Sequence, residues 1–191
     1  YTPKSLVSKS FFGCYTKGML VLTKSIIDQP VMSLRTGRQV ALAYQPIINP
    51  NNLKIEGFYC LDSIDKKKQL VLLHQDIRDV LPAGLVVDDH EVLAEPGDLI
   101  RLRKILELDF QLIGKSVVTE SGKKMGKVND FATEPASMLI KKIYSTQTLL
   151  KNLTGGSMSI DRNQIIEITN RKIVIKDPLQ TVRSGAMATT P

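Results

Sequence analysis

The feature that most restricts this chain is that it nearly repeats itself. Ile27 to Asp89 lies over Ile113 to Asp177, with one extra residue in the first copy near Arg35 and a few length changes in the middle. Val31-Met32-Ser33 then meets Val117-Val118-Thr119, and Thr36-Gly37-Arg38-Gln39-Val40-Ala41 meets Ser121-Gly122-Lys123-Lys124-Met125-Gly126. Asn49-Pro50 falls on Glu134-Pro135, and Leu53-Lys54-Ile55 falls on Leu139-Ile140-Lys141 to within one residue. At the far end Ile77, Val80, Leu85, Val86 and Val87 meet Ile165, Ile168, Ile173, Val174 and Ile175 without a gap. Identity is low, but polarity and turn chemistry recur in order. One supersecondary unit is therefore built twice, and a fold proposed for one copy must serve the other.

Each copy reads as a meander of short strands. Val117-Val118-Thr119 is stopped by Glu-Ser-Gly-Lys, where Gly122 supplies the positive φ of a tight hairpin. Met125 to Phe131 alternates apolar and polar residues, with Gly126 marking a bulge or a close backbone approach, and Glu134-Pro135 closes it. Leu139 to Tyr144 and Gln147 to Leu153 follow, and Thr154-Gly155-Gly156-Ser157 turns the chain. Asp161 is placed to cap a short helical turn from Arg162 to Ile165, after which Glu167-Ile168-Thr169 and Lys172 to Ile175 form a closing hairpin around Asn170-Arg171. The first copy carries matching signals at Gly37, Asn49 to Asn52, Asp65 to Lys68 and Pro82-Ala83-Gly84.

Composition agrees with this reading. Hydrophobic residues make up 42% and charged residues 24%, which excludes disorder as the main state, while aromatics are 5% with no Trp, so Leu, Ile and Val must fill the core. Short strands joined by tight turns expose long edges unless the sheet curls, which predicts two tandem small β-barrels. Between the copies, Pro96-Gly97-Asp98 precedes Leu99, Leu102, Ile105 and Leu106 at helical spacing, which predicts a short amphipathic helix capped by Asp98 and braced against a barrel. The expected organisation is an N-terminal tail (1–18), a first barrel (19–94), a linker helix (95–109), a second barrel (110–178) and a C-terminal tail (179–191).

The hairpin Ser-Gly-Lys-Lys-Met-Gly-Lys-Val-Asn-Asp-Phe, the acidic-Pro close and the terminal Ile-Ile-Glu-Ile-Thr-Asn-Arg-Lys-Ile-Val-Ile hairpin resemble the PRC-barrel family. That small barrel also occurs in the photosynthetic reaction centre H subunit and in the bacterial ribosome maturation factor. The second copy, about 110–178, is the nearer match. The first, about 25–94, departs from the family by replacing its small residue in the second strand with Ala41 and by inserting Pro46 and Pro50 around Ile47-Ile48. The resemblance implies a docking module without an active site of its own, in the PRC-barrel manner.

The formal charge is +7. Residues 1–23 hold three Lys and no acid, residues 24–106 hold eleven basic and eleven acidic residues, and residues 107–191 hold twelve basic and eight acidic. Any polyanion contact therefore belongs to the tail or the second copy, where Lys123, Lys124, Lys127, Lys141 and Lys142 are the candidates for a polyanion or partner surface. No exposed aromatics are interleaved with them to stack on bases. Lys66-Lys67-Lys68 sits at a hairpin tip and reads as a solvated loop.

Other chemistry is sparse. His74 reads as a strand-end histidine, and Asp88-Asp89-His90-Glu91 as an acidic strand exit, since adjacent residues on an extended chain face opposite sides. Thr154-Gly155-Gly156-Ser157 lacks the spacing of a phosphate loop. Cys14 and Cys60 form no framework and no metal-ligand pair, which predicts a reducing, cytoplasmic setting. Lys9, Phe11, Phe12, Tyr15 and Lys17 make a weak lipid-facing signature.

The expectation is a non-enzymatic cytoplasmic adaptor with no cofactor and no metal, binding a protein partner, with ribosome maturation or RNA processing the first class to test. Direct RNA binding through the basic second barrel is the alternative, followed by docking to membrane proteins at a membrane surface. The two copies are expected to pack as a pseudo-dimer within a monomer, or else the chain forms a homodimer.

Overall fold

In the computed structural model, residues 18–146 and 157–177 are described. A short strand, β1 (Val21–Leu22), leads into the first copy: β2 (Gln29–Ser33), β3 (Gln39–Asn49), β4 (Lys54–Asp62), β5 (Gln69–Leu73), a 3-10 turn over His74–Asp76, β6 (Ile77–Leu81) and β7 (Gly84–Val87). The helix α1 (Arg103–Leu108) separates it from the second copy: β8 (Ser116–Thr119), β9 (Lys124–Glu134), β10 (Leu139–Thr146), β11 (Ser157–Asp161), a 3-10 turn over Arg162–Gln164, β12 (Ile165–Ile168) and β13 (Lys172–Ile175).

The second copy repeats the first strand for strand. In the first, the hydrogen-bonded order is β5-β4-β3-β2-β7-β6, antiparallel except where β2 runs parallel to β7 with Val31 opposite Leu85. In the second it is β11-β10-β9-β8-β13-β12, with β8 parallel to β13 and Val117 opposite Ile173. A bulge recurs at the same place as well, between Val31 and Met32 opposite Ala41 and Gln39, and between Val117 and Val118 opposite Gly126 and Lys124. The extra residues, Val40 and Met125, both point into the core. Each bulge slips the alternation by one, so that Met125 and Val128, three apart, are both buried.

The copies meet back to back at their β-turns. Lys54 pairs with Leu139, the Ile55 N–H donates to the Met138 carbonyl at 2.9 Å, and the Ile140 N–H donates to the Leu53 carbonyl at 2.9 Å. The bonds are reciprocal, which sets Leu53 on Met138 and relates the halves by an approximate two-fold axis. Leu53 (φ 47°) and Met138 (φ 54°) both adopt the left-handed region, and both side chains are buried. The leaders cross over: β1 pairs with β9 of the second copy, while α1 packs on β3 of the first, where Gln45 Nε2 reaches Asp109 Oδ1 at 3.5 Å. One apolar core, with Phe58 and Phe131 among its largest buried side chains, runs through both halves.

The protein is mainly β, as expected, but among the described residues the 13 strands form a single sheet that is not closed into two barrels. The sheet ends on β6 and β12, and among the described residues neither pairs with β5 or β11. The helix is also shorter than the expected 95–109. Pro96–Asp98 forms its own 3-10 turn, Leu99 leaves helical geometry (φ −87°, ψ 67°), and α1 starts after Leu102 with no side-chain cap, so Asp98 is not its N-cap. Leu102, Ile105 and Leu106 are half-buried all the same, consistent with a brace. β11 has no counterpart among the expected strands: its first residue, Ser157, falls in the expected turn, and Met158 to Ile160 carry no expectation. The expected strand from Gln147 to Leu153, most of the Thr154 to Ser157 turn, and the tails, apart from Gly18, lie outside the described residues.

Candidate functional site

Two clefts open where the β-turn of one copy faces the last hairpin of the other, and the two-fold relation exchanges them. The first, of about 290 Å³, lies between the 3-10 turn and β6 (His74, Ile77, Arg78, Val80) and the opposite turn at Pro135 and Ala136. The second, of about 400 Å³, lies between Arg162, Ile165, Ile166 and Glu167 and the opposite turn at Pro50 and Asn51. Under the repeat, His74 corresponds to Arg162, Ile77 to Ile165, Arg78 to Ile166 and Pro135 to Pro50.

The chemistry of the two differs. In the first cleft Arg78 is paired: its Nε donates to Asp88 Oδ1 at 2.9 Å and its second nitrogen lies on Oδ2, and this bond holds the Asp88 carboxyl below the usual range. Burial pushes the His74 imidazole pKa down, Lys54 adds to the effect, and a hydrogen bond with the Ala136 backbone opposes it. In the second cleft the Arg162 Nη1 is buried and has no hydrogen-bond partner among the described residues. The turn that carries Arg162 is held by Gln164, whose Oε1 accepts the Asp161 N–H at 2.8 Å, one arm of a capping box.

The five lysines fall into two groups. Lys123, Lys124 and Lys127 are exposed on the β8–β9 hairpin, and the bulge at Met125 turns Lys124 and Lys127 outward together. Lys141 and Lys142 lie farther along β10 and are neutralised on different neighbours, Lys141 by Glu134 at 3.4 Å and Lys142 by Asp161 across the ladder at 2.9 Å. Lys127 pairs with Thr146, whereas Lys142 pairs with Ala132, so the two groups sit apart along the hairpin.

The Asp88 to Glu91 run is dispersed into separate contacts. Asp88 pairs with Arg78; Asp89 turns inward, accepts a hydrogen bond from Ser33 Oγ at 3.0 Å and lies against Arg35. His90 Nε2 is 3.1 Å from Asp62 Oδ1, and Glu91 is exposed. Burial pushes the Asp62 carboxyl up, but the Ile64 N–H and His90 outweigh it and hold the group below its ordinary value. Among the described residues no group of three or more His, Cys, Asp or Glu is placed to hold a metal ion. Lys68 of the hairpin tip pairs with Glu95 at 2.7 Å. Cys60 is a buried thiol whose pKa burial pushes up to about 12. No described helix is long and apolar enough to cross a membrane.

This hairpin order, with its parallel first and last strands, spans a segment that a family model recognises: residues 106–180 match the PRC-barrel domain. Over those residues the chain is similar to the PRC-barrel domain. The match covers the end of α1 and all of β8 to β13. No curated protein matches the chain. The PRC-barrel domain is a general protein-interaction fold. It supplies Arg162 and β12 to the second cleft and the Pro135-Ala136 wall to the first. Sequence reasoning passed over Arg162 as a feature of a site. The signal that would have found it is its position opposite His74 in the repeat, which places a cation where the other copy has a half-buried imidazole.

Proposed function

We propose that this protein is a non-enzymatic cytoplasmic adaptor that binds a protein partner through its sheet surface and junction clefts. The PRC-barrel domain at 106–180 carries this reading. The twofold-related clefts support it, because a docking module needs concave surface with a few polar groups set among apolar ones. Ribosome maturation and RNA-processing assemblies are the first partner class to test. The experiment is affinity capture with the tagged chain at physiological salt, followed by crosslinking of the purified pair. A stoichiometric protein partner is expected; failure to recover one, together with turnover of a small molecule by the purified chain, overturns the reading.

A second reading, direct RNA contact, is favoured by the three exposed lysines of the β8–β9 hairpin. It requires affinity that falls steeply with salt, by roughly one unit of log-log slope per phosphate contact. Lys123→Glu, Lys124→Glu and Lys127→Glu together should then weaken binding, and a flat salt response excludes it.

A further inference from the structure

The two clefts have one architecture and unequal chemistry. In the first, Arg78 is committed to Asp88 and His74 to the Ala136 backbone. In the second, the position of Arg78 is taken by Ile166, which is 47% exposed, and the position of His74 by Arg162, whose Nη1 is buried and, among the described residues, unpartnered. A guanidinium stays protonated under all ordinary conditions, so Nη1 is a permanent donor without a hydrogen-bond partner among the described residues. The wall beside it is β12, an end strand of the sheet, whose outer edge pairs with no other strand among the described residues. Ile165 and Ile168 pack from β12 against the core, while Ile166 is left facing outward between them. Glu167, exposed on the same wall, sets a negative charge farther along.

We propose that the cleft between β12 and the Pro50 turn binds an extended segment of a protein partner, laid along the β12 edge, with one Asp or Glu carboxylate on Arg162 and an aliphatic side chain on Ile166. The unpaired strand edge supplies main-chain hydrogen bonds, and alternate side chains of an added strand fall on one face, which fits an apolar contact beside an ionic one. The guanidinium fork matches a carboxylate in two parallel bonds, whereas Glu167 repels a second acid at its own position. The occupant is therefore a strand with a single carboxylate next to aliphatic residues. An evenly acidic tract would be rejected. The assignment rests on the adaptor reading and specifies where and what that adaptor grips.

The test is selection of displayed random heptapeptides on the full chain, then fluorescence anisotropy with the synthetic winner and with its amide analogue (Gln for Glu, or Asn for Asp). Winners should carry one acid beside an aliphatic residue, and the amide analogue should bind more than about tenfold more weakly. Arg162→Ala should produce a similar loss, and Arg78→Ala in the first cleft should leave affinity within about twofold. Ile166→Lys, at a half-exposed position, gives a second readout should Arg162→Ala lower stability by circular dichroism. Winners without an acid, equal binding of the amide analogue, or equal losses from Arg78→Ala and Arg162→Ala overturn the proposal. If a natural partner is captured equally well by wild type, Arg162→Ala and Ile166→Lys, the cleft assignment fails and the adaptor reading stands; if the peptide behaves as expected but no natural partner is captured, the reverse holds.

Discussion

Met138 places a long side chain, fully buried, on a residue with φ 54°, in the turn that joins the copies. Its two properties pull in opposite directions when it is truncated. Met138→Ala removes three heavy atoms from a closed core and should destabilise by about 2–5 kcal/mol, the transfer term plus the cavity left behind. Ala keeps the strain of the left-handed backbone, about 1–2 kcal/mol for a residue with a Cβ. Changing Ala to Gly at the same position relieves that strain, loses about 0.8 kcal/mol of buried methyl and adds about 0.5–1 kcal/mol of chain entropy. The net Ala-to-Gly step at Met138 is therefore close to zero. At Ile143, buried in β10 with ordinary extended geometry, the same step has no strain to relieve and should destabilise by about 1.5 kcal/mol. The assay is urea unfolding of the four single variants, with free energies extrapolated to water at a common slope. The two Ala-to-Gly steps should differ by about 1–2 kcal/mol, and Leu53 (φ 47°) should behave like Met138. Equal steps at Met138 and Ile143 would refute the argument that the turn stores backbone strain under its buried side chain.

Three further outcomes follow from the same geometry. The depressed His74 pKa means that the folded state resists protonating this imidazole; the stability it contributes is complete above its ordinary value of 6.5 and is lost as pH falls, so the thermal midpoint should drop between about pH 7 and pH 5 and His74→Gln should flatten that drop. The Cys60 thiol is raised from 9.0 to about 12, so its protonated form favours folding below pH 9 and that contribution is lost as pH rises toward 12. In a Cys14→Ser background at about pH 8, Cys60 should stay silent to an aromatic disulfide reagent until denaturant is added, and rapid native labelling would contradict its burial. A Cβ on Gly84, at φ 143°, would sit 2.3 Å from the Pro30 carbonyl oxygen, so Gly84→Ala should destabilise by about 2 kcal/mol or more, whereas Gly37→Ala at φ 65° meets open space and should cost about 1 kcal/mol; a milder effect at Gly84 than at Gly37, read by thermal melts, would count against the close approach.

Strands and turns were legible because they are written in side-chain pattern and turn chemistry. The repeat aligned Leu85-Val86-Val87 with Ile173-Val174-Ile175, and the structure gives these segments equivalent parallel partners. The junction was not legible, because it is made by main-chain groups of Leu53, Ile55, Met138 and Ile140, which any sequence possesses. The edges at β6 and β12, unpaired among the described residues, are likewise main-chain features that strand pattern and turn chemistry do not reveal. The apolar spacing from Leu99 to Leu106 describes a packed face correctly, yet it does not register that Pro96 and Gly97 begin a separate turn and that Leu99 breaks the run. The lysines were grouped because adjacent strands can bring cations onto one surface, whereas Lys141 and Lys142, neighbours on β10, meet different acids, Glu134 and Asp161.

The reciprocal contact at the junction has a bearing on stoichiometry. Two identical chains meeting through such turns would present two identical clefts and bind two ligands, one on each side. Covalent fusion removes the requirement of sameness. Here one side pairs Arg78 with its own Asp88 where the other carries Ile166, and that other side sets Arg162 where the first has His74. A body that is symmetric in its backbone is thus polar in its chemistry, and a partner that grips the second cleft as proposed would meet it one to one and in a single orientation.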